Sequence, residues 1–420
     1  MRAITLLLVA VNLTVIYGLF ISPEMIEQRF DGHSVYRVKS SSEKDFRSLV
    51  KLFETDTMDF WTMPRRGGFT DIRVNPEQNF HLLDFFRNNS LSYSLHIKDI
   101  EGIVESERRN NIKLKTGGID WKAYYRADEI HAWMDSLADF YPGLVSVVSI
   151  GKSSEGRDLK LIKISKGGVP KPTIFIDSTF HAREWISSAV STYVINQLTT
   201  NSSQYKFLDK VDFHILPLVN PDGFEWSHTQ DRMWRKTRSN HGSSFGCRGV
   251  DPNRNFGYQW GGSGTSSNKC SEIYKGPTAF SEPETAALRD YISHSGTDFR
   301  AYITIHSYSQ LWLTPWGFTS DVPADYNELE SLAKRGAQVI SQAFGTQYQV
   351  GSSTNVLYAA AGGSDDWAKG AAGIKFSYTI ELRDTGHFGF ILPANQIEPT
   401  AYETWQGLKY VANSIASDLI

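Results

Sequence analysis

The chain has 420 residues, of which 40% are apolar and 21% charged, and a formal net charge of −3. These are ordinary globular values in a chain long enough for two or three domains and a large core. The balanced charge gives no reason to expect nucleic acid or an anionic membrane as a partner.

Arg2 precedes an apolar run from Ile4 to Val11 that ends near Gly18. A short basic region followed by a brief apolar stretch is the pattern of a secretory signal peptide. The run carries Asn12 and Thr14 and falls short of the roughly 20 residues a bilayer span requires. Residues 1–18 are therefore expected to be a signal, with no membrane anchor, and the protein to be secreted and extracellular.

Residues 19–98 are expected to form a first domain. Strand patterns at 35–38, 59–61, 69–74 and 93–97 alternate with an amphipathic helix over 43–53 and a second helix opened by Pro76. The order βαββαβ is the ferredoxin-like split arrangement. Residues 99–118 read as a connecting helix running into a basic stretch, 107–118, that ends in Gly117-Gly118. Such a stretch is an interdomain linker and a natural place for a trypsin-like cut.

From 119 to 420 strand and helix patterns alternate, implying an α/β domain of about 300 residues. Strands are expected at 145–150, 159–164, 173–176, 211–217, 302–305 and 376–380. Helices are expected after Asp128, Ser187, Glu282 and Glu328, and after Pro399 at the carboxyl end. The two cysteines, Cys247 and Cys270, are an even pair in an exported chain, which suggests one disulfide closing a Gly/Ser-rich loop.

Three positions carry metal chemistry. His181 and Glu184 follow the strand pattern at 173–176 and open a helix. His306 follows Ile305 at the end of another strand, and Glu381 follows Ile380 at the end of a third. Alone, each has a bland reading as a core histidine or a paired carboxylate. Together, three donors and one spare carboxylate at strand ends of one sheet make a three-ligand metal site with an adjacent base.

The segments joining these positions match a family. His-Ala-Arg-Glu-Trp at 181–185, Asn-Pro-Asp-Gly-Phe at 220–224, Trp-Arg-Lys-Thr-Arg-Ser at 234–239 and Asp-Pro-Asn-Arg-Asn-Phe at 251–256 are followed by three more in order. These are Ile-His-Ser-Tyr-Ser-Gln at 305–310, Gly-Gly-Ser-Asp-Asp-Trp at 362–367 and Glu-Leu-Arg-Asp-Thr-Gly at 381–386. The chain resembles the zinc metallocarboxypeptidases, in the pancreatic-type A/B procarboxypeptidase subfamily, over essentially its whole length.

The resemblance implies a mixed, mostly parallel eight-stranded sheet flanked by helices, behind a propeptide. It implies one Zn²⁺ held by His181, Glu184 and His306, which activates a water that attacks the C-terminal peptide bond with Glu381 as general base. Arg235 matches the arginine that stabilises the oxyanion, and Asn253, Arg254 and Tyr358 the group that grips the terminal carboxylate. Arg183, Tyr308 and Phe390 complete the substrate-binding set. Asp365 stands where B-type relatives carry Asp and A-type relatives an apolar residue, which points to C-terminal Lys or Arg. Gly317 and Ser353 occupy two pocket-wall positions where B-type relatives carry Ser and Gly, so the pair looks exchanged.

The expected protein is thus a secreted, monomeric zymogen. Its partners are peptide or protein C-termini and an activating trypsin-like protease, with no nucleic acid and no membrane. Two alternatives stay open at this point: an A-type enzyme of apolar or broad specificity, and a catalytically silent peptide-binding module on the same fold.

Overall fold

The computed structural model describes residues 27–114 and 118–417. The expected signal peptide and part of the expected activation linker lie outside the described residues. Among the described residues, no helix is long and apolar enough to cross a membrane.

The first domain runs β1 (Ser34–Lys39), α1 (Glu43–Glu54), β2 (Asp59–Phe60), β3 (Phe69–Val74), α2 (Pro76–Asn88) and β4 (Ser92–Ile97). Both helices start where the sequence supplies reciprocal caps. Ser42 accepts from the Asp45 backbone while Asp45 accepts back, and Asn75 and Gln78 do the same before α2. The sheet order is β2-β3-β1-β4, with β1 antiparallel to both neighbours. Val38, Ile72, Val74, Leu82 and Phe86 bury the helix-covered face. This is the split βαββαβ arrangement the strand pattern anticipated.

Helix α3 (Ile100–Leu114) leaves this domain and lies on the second. Its Glu107 carboxylate meets the Arg232 guanidinium at 2.6 and 3.1 Å, with both side chains buried. Asn111 exchanges hydrogen bonds with the Tyr124 backbone at 2.6 and 2.9 Å.

The second domain continues with α4 (Ala127–Phe140), β5 (Val145–Lys152), β6 (Asp158–Ile164), β7 (Thr173–Ser178), α5 (Trp185–Thr200), β8 (Asp212–Leu216), α6 (Pro221–Thr229) and α7 (Pro283–His294). Then come β9 (Phe299–Ser307), β10 (Leu311–Thr314), α8 (Tyr326–Phe344), β11 (Gln349–Ser352), α9 (Ser353–Val356), α10 (Ser364–Gly370), β12 (Phe376–Leu382) and α11 (Ile397–Ala416). Eight strands form one mixed sheet in the order β11-β10-β12-β9-β7-β8-β6-β5. The central strands β12, β9, β7 and β8 are parallel and buried on both faces. Ile174, Ile176, Ile303, Ile305 and Ile380 pack against α5, α8 and α11. Phe175, Leu216 and Tyr302 face the opposite way, toward α7 and α10.

Several elements differ from the sequence reading. Strands β10 and β11 carry four residues each, too few for a clear alternation. Helix α6 begins on Asn220, which accepts from the Gly223 backbone at 2.9 Å, and its polar composition hides it. Helix α11 starts before Pro399, not after it, because proline is tolerated in a first turn that lacks intrahelical N–H bonds anyway. The Cys247–Cys270 disulfide forms as expected.

Candidate functional site

The strand ends deliver the expected donors to one point. His181 and Glu184 lie in the turn between β7 and α5, which the Glu184 N–H closes onto the His181 carbonyl at 3.2 Å. His306 and Glu381 are the next-to-last residues of β9 and β12 and stand in register across that parallel pair. His181 Nδ1 lies 2.7 Å from Glu184 Oε1, His306 Nδ1 lies 3.0 Å from Glu184 Oε2, and the two Nδ1 atoms are 3.2 Å apart. All three side chains are buried, with ligand atoms within 4.8 Å of one another.

This donor set fits zinc. Two imidazole nitrogens and a carboxylate oxygen are a common three-ligand catalytic combination. Against the cost of burial, the His181 and His306 rings hold the Glu184 carboxyl far below the ordinary range. Burial opposes the charged form of His306, yet Glu184 pulls its pKa up to about 9. His181 turns its other nitrogen to Asp251 Oδ1 at 3.1 Å, the carboxylate support that zinc-bound histidines commonly have.

Asp251 also organises the cations. Burial disfavours its charge, but Arg235, His181 and Arg254 hold its pKa well below the usual value. Its Oδ2 accepts from Arg235 Nη2 at 2.7 Å, and its Oδ1 caps the single turn at 252–254 by accepting from the Asn253 backbone at 2.9 Å. Arg254 is different. Its Nε and Nη1 donate to the carbonyls of Gly264 and Asn253 at 2.9 and 2.8 Å, and Asp251 stays 4.0 Å away. Burial accordingly lowers the Arg254 pKa, with too little carboxylate nearby to offset it. Burial pushes Glu381 the other way, up to about 8.

A cavity of about 140 Å³ is lined by His181, Glu184, His306, Glu381, Arg235, Asn253 and Arg254, together with Arg183, Tyr308, Tyr358, Asp365 and Phe390. Every site residue expected from the sequence therefore comes together, apart from the disulfide pair, which stands in its own loop. The first domain closes the cavity. Asp59 pairs with Arg183 at 3.1 Å, Asp71 accepts from the Tyr308 hydroxyl at 2.8 Å, and Glu54 accepts from the Tyr358 hydroxyl at 2.5 Å. Trp61 meets the Phe390 ring edge at 5.3 Å between centroids, and Met63 Sδ lies 3.8 Å from Arg254 Nη2.

At the cavity's other end, Asp365 and Asp366 open helix α10 and divide their roles. Asp366 accepts backbone N–H bonds from Gly317 at 2.9 Å and Phe318 at 3.1 Å, so its carboxylate is consumed by the scaffold. Asp365 lines the cavity, buried, and among the described residues it forms no ion pair. Its burial raises its pKa, with the Asp366 backbone and the Thr379 hydroxyl opposing.

A buried His/Glu/His cluster at the carboxyl ends of a mixed sheet, with a spare carboxylate and two buried arginines in one cleft, is the arrangement of a metallopeptidase. The zinc carboxypeptidase family matches residues 130–407 and the carboxypeptidase activation peptide family residues 36–107, and the chain belongs to the zinc carboxypeptidases. It is 53% identical over 298 residues to carboxypeptidase B of Astacus astacus, covering 71% of this chain and 98% of that one. It is 39% identical over 415 residues to carboxypeptidase A2 of Rattus norvegicus, covering 96% and 99% of the two chains. The crystal structure of the carboxypeptidase A from Helicoverpa armigera superposes with a TM-score of 0.87 at 32% identity, over 92% of this chain and 98% of that one.

The sequence reading missed Asp251 as the link between His181 and Arg235, although it lies inside the quoted 251–256 motif. It also missed the occupants of the cleft, Glu54, Asp59, Trp61, Met63 and Asp71. Acidic residues at a helix end and on the strands of a small domain carry no local signal that tells a docking contact from a solvated face.

Proposed function

We propose that this zinc carboxypeptidase zymogen removes single C-terminal residues, preferring Lys or Arg. The observation that carries the preference is Asp365, a buried carboxylate that lines the substrate cavity without a cation of its own. A desolvated carboxylate is costly unless a positive charge meets it, and a C-terminal Lys or Arg side chain brings one. The names of the relatives divide between A and B types, so the pocket is the better guide.

In this reading Arg254, whose paired carboxylate Asp251 stands 4.0 Å away, binds the substrate's terminal carboxylate with Asn253 and Tyr358, which restricts cleavage to the last bond. Arg183, Tyr308 and Phe390 contact the residues before it. Arg235, held by Asp251, faces the carbonyl where negative charge develops. When bound, zinc supplies a Lewis acid and allows water to act as a nucleophile near neutral pH. Glu381 accepts the proton of that water and returns it to the leaving amine. The residues fall into a signal at 1–18, an activation domain at 19–98, a connecting helix and cleavage linker at 99–118 and a catalytic domain at 119–420. Export to the extracellular space and activation by a trypsin-like protease complete the proposal.

The test is hydrolysis of blocked dipeptides ending in Arg, Lys, Phe or Leu, before and after trypsin. Turnover of Arg and Lys substrates that appears only after the cut is expected. A preference for Phe or Leu ends the specificity claim, and full activity of the uncut chain ends the activation claim.

A further inference from the structure

The two histidines of the metal cluster are supported unequally. His181 Nε2 meets Asp251, whereas His306 Nε2 is buried without a hydrogen-bond partner. A histidine that binds metal through one nitrogen almost always gives its other N–H to a carboxylate, a carbonyl or a water. The Phe180 ring stacks on His306 at 5.7 Å and fixes its plane but offers no acceptor.

The sheet register brings a carboxylate into the same neighbourhood. Asp177 on β7 pairs with Thr304 on β9, and Thr304 precedes His306 by two positions. In a parallel pair, register partners project to one face, and the period of two puts Tyr302, Thr304 and His306 on that face together. Both Asp177 oxygens, the Tyr302 hydroxyl, the Thr304 hydroxyl and the Ser364 hydroxyl at the start of α10 are also buried without a partner in full hydrogen-bonding geometry, although the Tyr302 and Thr304 hydroxyls lie close enough to Asp177, and Ser364 to Tyr302, to interact. Burial lifts the Asp177 carboxyl to about 7, while the Tyr302 and Thr304 hydroxyls and the His306 charge act to lower it. The carboxyl and the ring are therefore within electrostatic reach.

A single buried polar atom left unpaired costs about 1–3 kcal/mol. Bridging water, which needs two to four polar partners, suits a group of acceptors, hydroxyls and one imidazole N–H gathered on one face. A second cation is a poor occupant beside a histidine that already binds a divalent ion.

We propose that Asp177 is the positioning residue of His306, accepting its Nε2 proton through ordered water held with Tyr302, Thr304 and Ser364. The two zinc-binding histidines would then each have a carboxylate, Asp251 directly and Asp177 through water. This role fixes the His306 tautomer with Nδ1 free for the metal. It rests on zinc binding by His306 and not on any substrate preference.

The experiment measures zinc affinity by chelator competition in the full chain for wild type, Asp177→Asn and Asp177→Ala. Glu284→Gln serves as the control, since it alters a buried carboxyl that lies outside the cavity. Asp177→Ala is expected to weaken zinc binding by about 10- to 100-fold, Asp177→Asn by less because its amide oxygen still accepts, and Glu284→Gln not at all. Zinc affinity within twofold of wild type in both Asp177 variants overturns the proposal. So does a change in Arg-versus-Phe selectivity at unaltered zinc affinity, which would assign Asp177 to the Asp365 pocket instead. If both Asp177 variants fail to fold, Thr304→Val is read in their place: a loss of threefold or more is expected, and affinity equal to wild type overturns the proposal. Failure of the wild-type chain to bind zinc would instead sink the metal reading on which all this stands.

Discussion

Asp59 of the first domain and Arg183 of the second form an interdomain ion pair, with Nη1 3.1 Å from Oδ1 and 3.2 Å from Oδ2. The Arg183 side chain is 1% exposed and that of Asp59 11%. Arg73 holds the same carboxylate from the other side at 2.7 Å. Removing the carboxylate leaves one buried and one partly buried guanidinium group without their shared partner.

Asp59→Asn should therefore loosen the closed zymogen. Breaking a buried pair by deleting one partner costs about 3–5 kcal/mol, so hydrolysis by the uncut chain should rise about tenfold or more. The trypsin-activated enzyme should be unaffected. Comparing the variant with wild type before and after the cut checks both outcomes.

The same pair sets a pH window. Burial opposes ionisation of Asp59, but Arg183 and Arg73 win and lower its pKa to about 2. A carboxyl lowered on folding contributes stability above its unfolded pKa of about 3.9 and loses it as pH falls toward the folded value. The Asp59 contribution to closure should be constant between about pH 5 and 8 and weaken only below about pH 4. Basal hydrolysis after brief acid exposure, compared with the Asp59→Asn variant, reads this directly.

Asp365→Ile should reverse the substrate preference. Truncating one partner of a buried charge pair costs about 2–5 kcal/mol, so kcat/KM for an Arg-terminated dipeptide should fall by about 30-fold or more. The value for a Phe-terminated substrate should hold or rise. Equal loss on both substrates would remove Asp365 from the specificity pocket.

Glu381→Gln should leave zinc in place while abolishing the proton transfer. General-base loss is worth about 10²–10⁴-fold, and that fall should appear in kcat with metal content unchanged. Glu381 lines the cavity beside the three donors but is not one of them, and the split between metal content and rate tests that division.

Glu107→Ala should expose helix α3 to protease. Its carboxylate anchors the helix to Arg232, which stacks over Trp185 at 3.6 Å. Losing that anchor, at about 3 kcal/mol for a buried pair, should raise the population of undocked α3 and speed cutting after Arg108 and Arg109. Sequencing the first fragments of a limited trypsin digest, with wild type alongside, locates the cut.

Much of the metal centre was legible because each donor sits at the end of a locally recognisable element. His306 follows an apolar strand, and His181 and Glu184 lie between a strand and a helix. The short strands β10 and β11 escaped because four residues cannot show a period. Asp251 escaped as a support for His181 because its value depends on a partner 70 residues away. Asp365 and Asp366 are neighbours with the same chemistry, and the sequence pattern separated them only through resemblance. In the structure the backbone N–H groups of Gly317 and Phe318 claim one and leave the other facing the cavity.

The sequence by itself determined which atoms are available: two imidazoles, two carboxylates and a set of guanidinium groups, spaced so that strands end on them. Tertiary structure alone decided how they are used. Parallel register set His306 beside Glu381, and domain packing placed Asp59, Asp71 and Glu54 against Arg183, Tyr308 and Tyr358. Those outcomes come from contacts between segments far apart in the chain, whose energies depend on burial and distance, and neither quantity is written in any local run of residues.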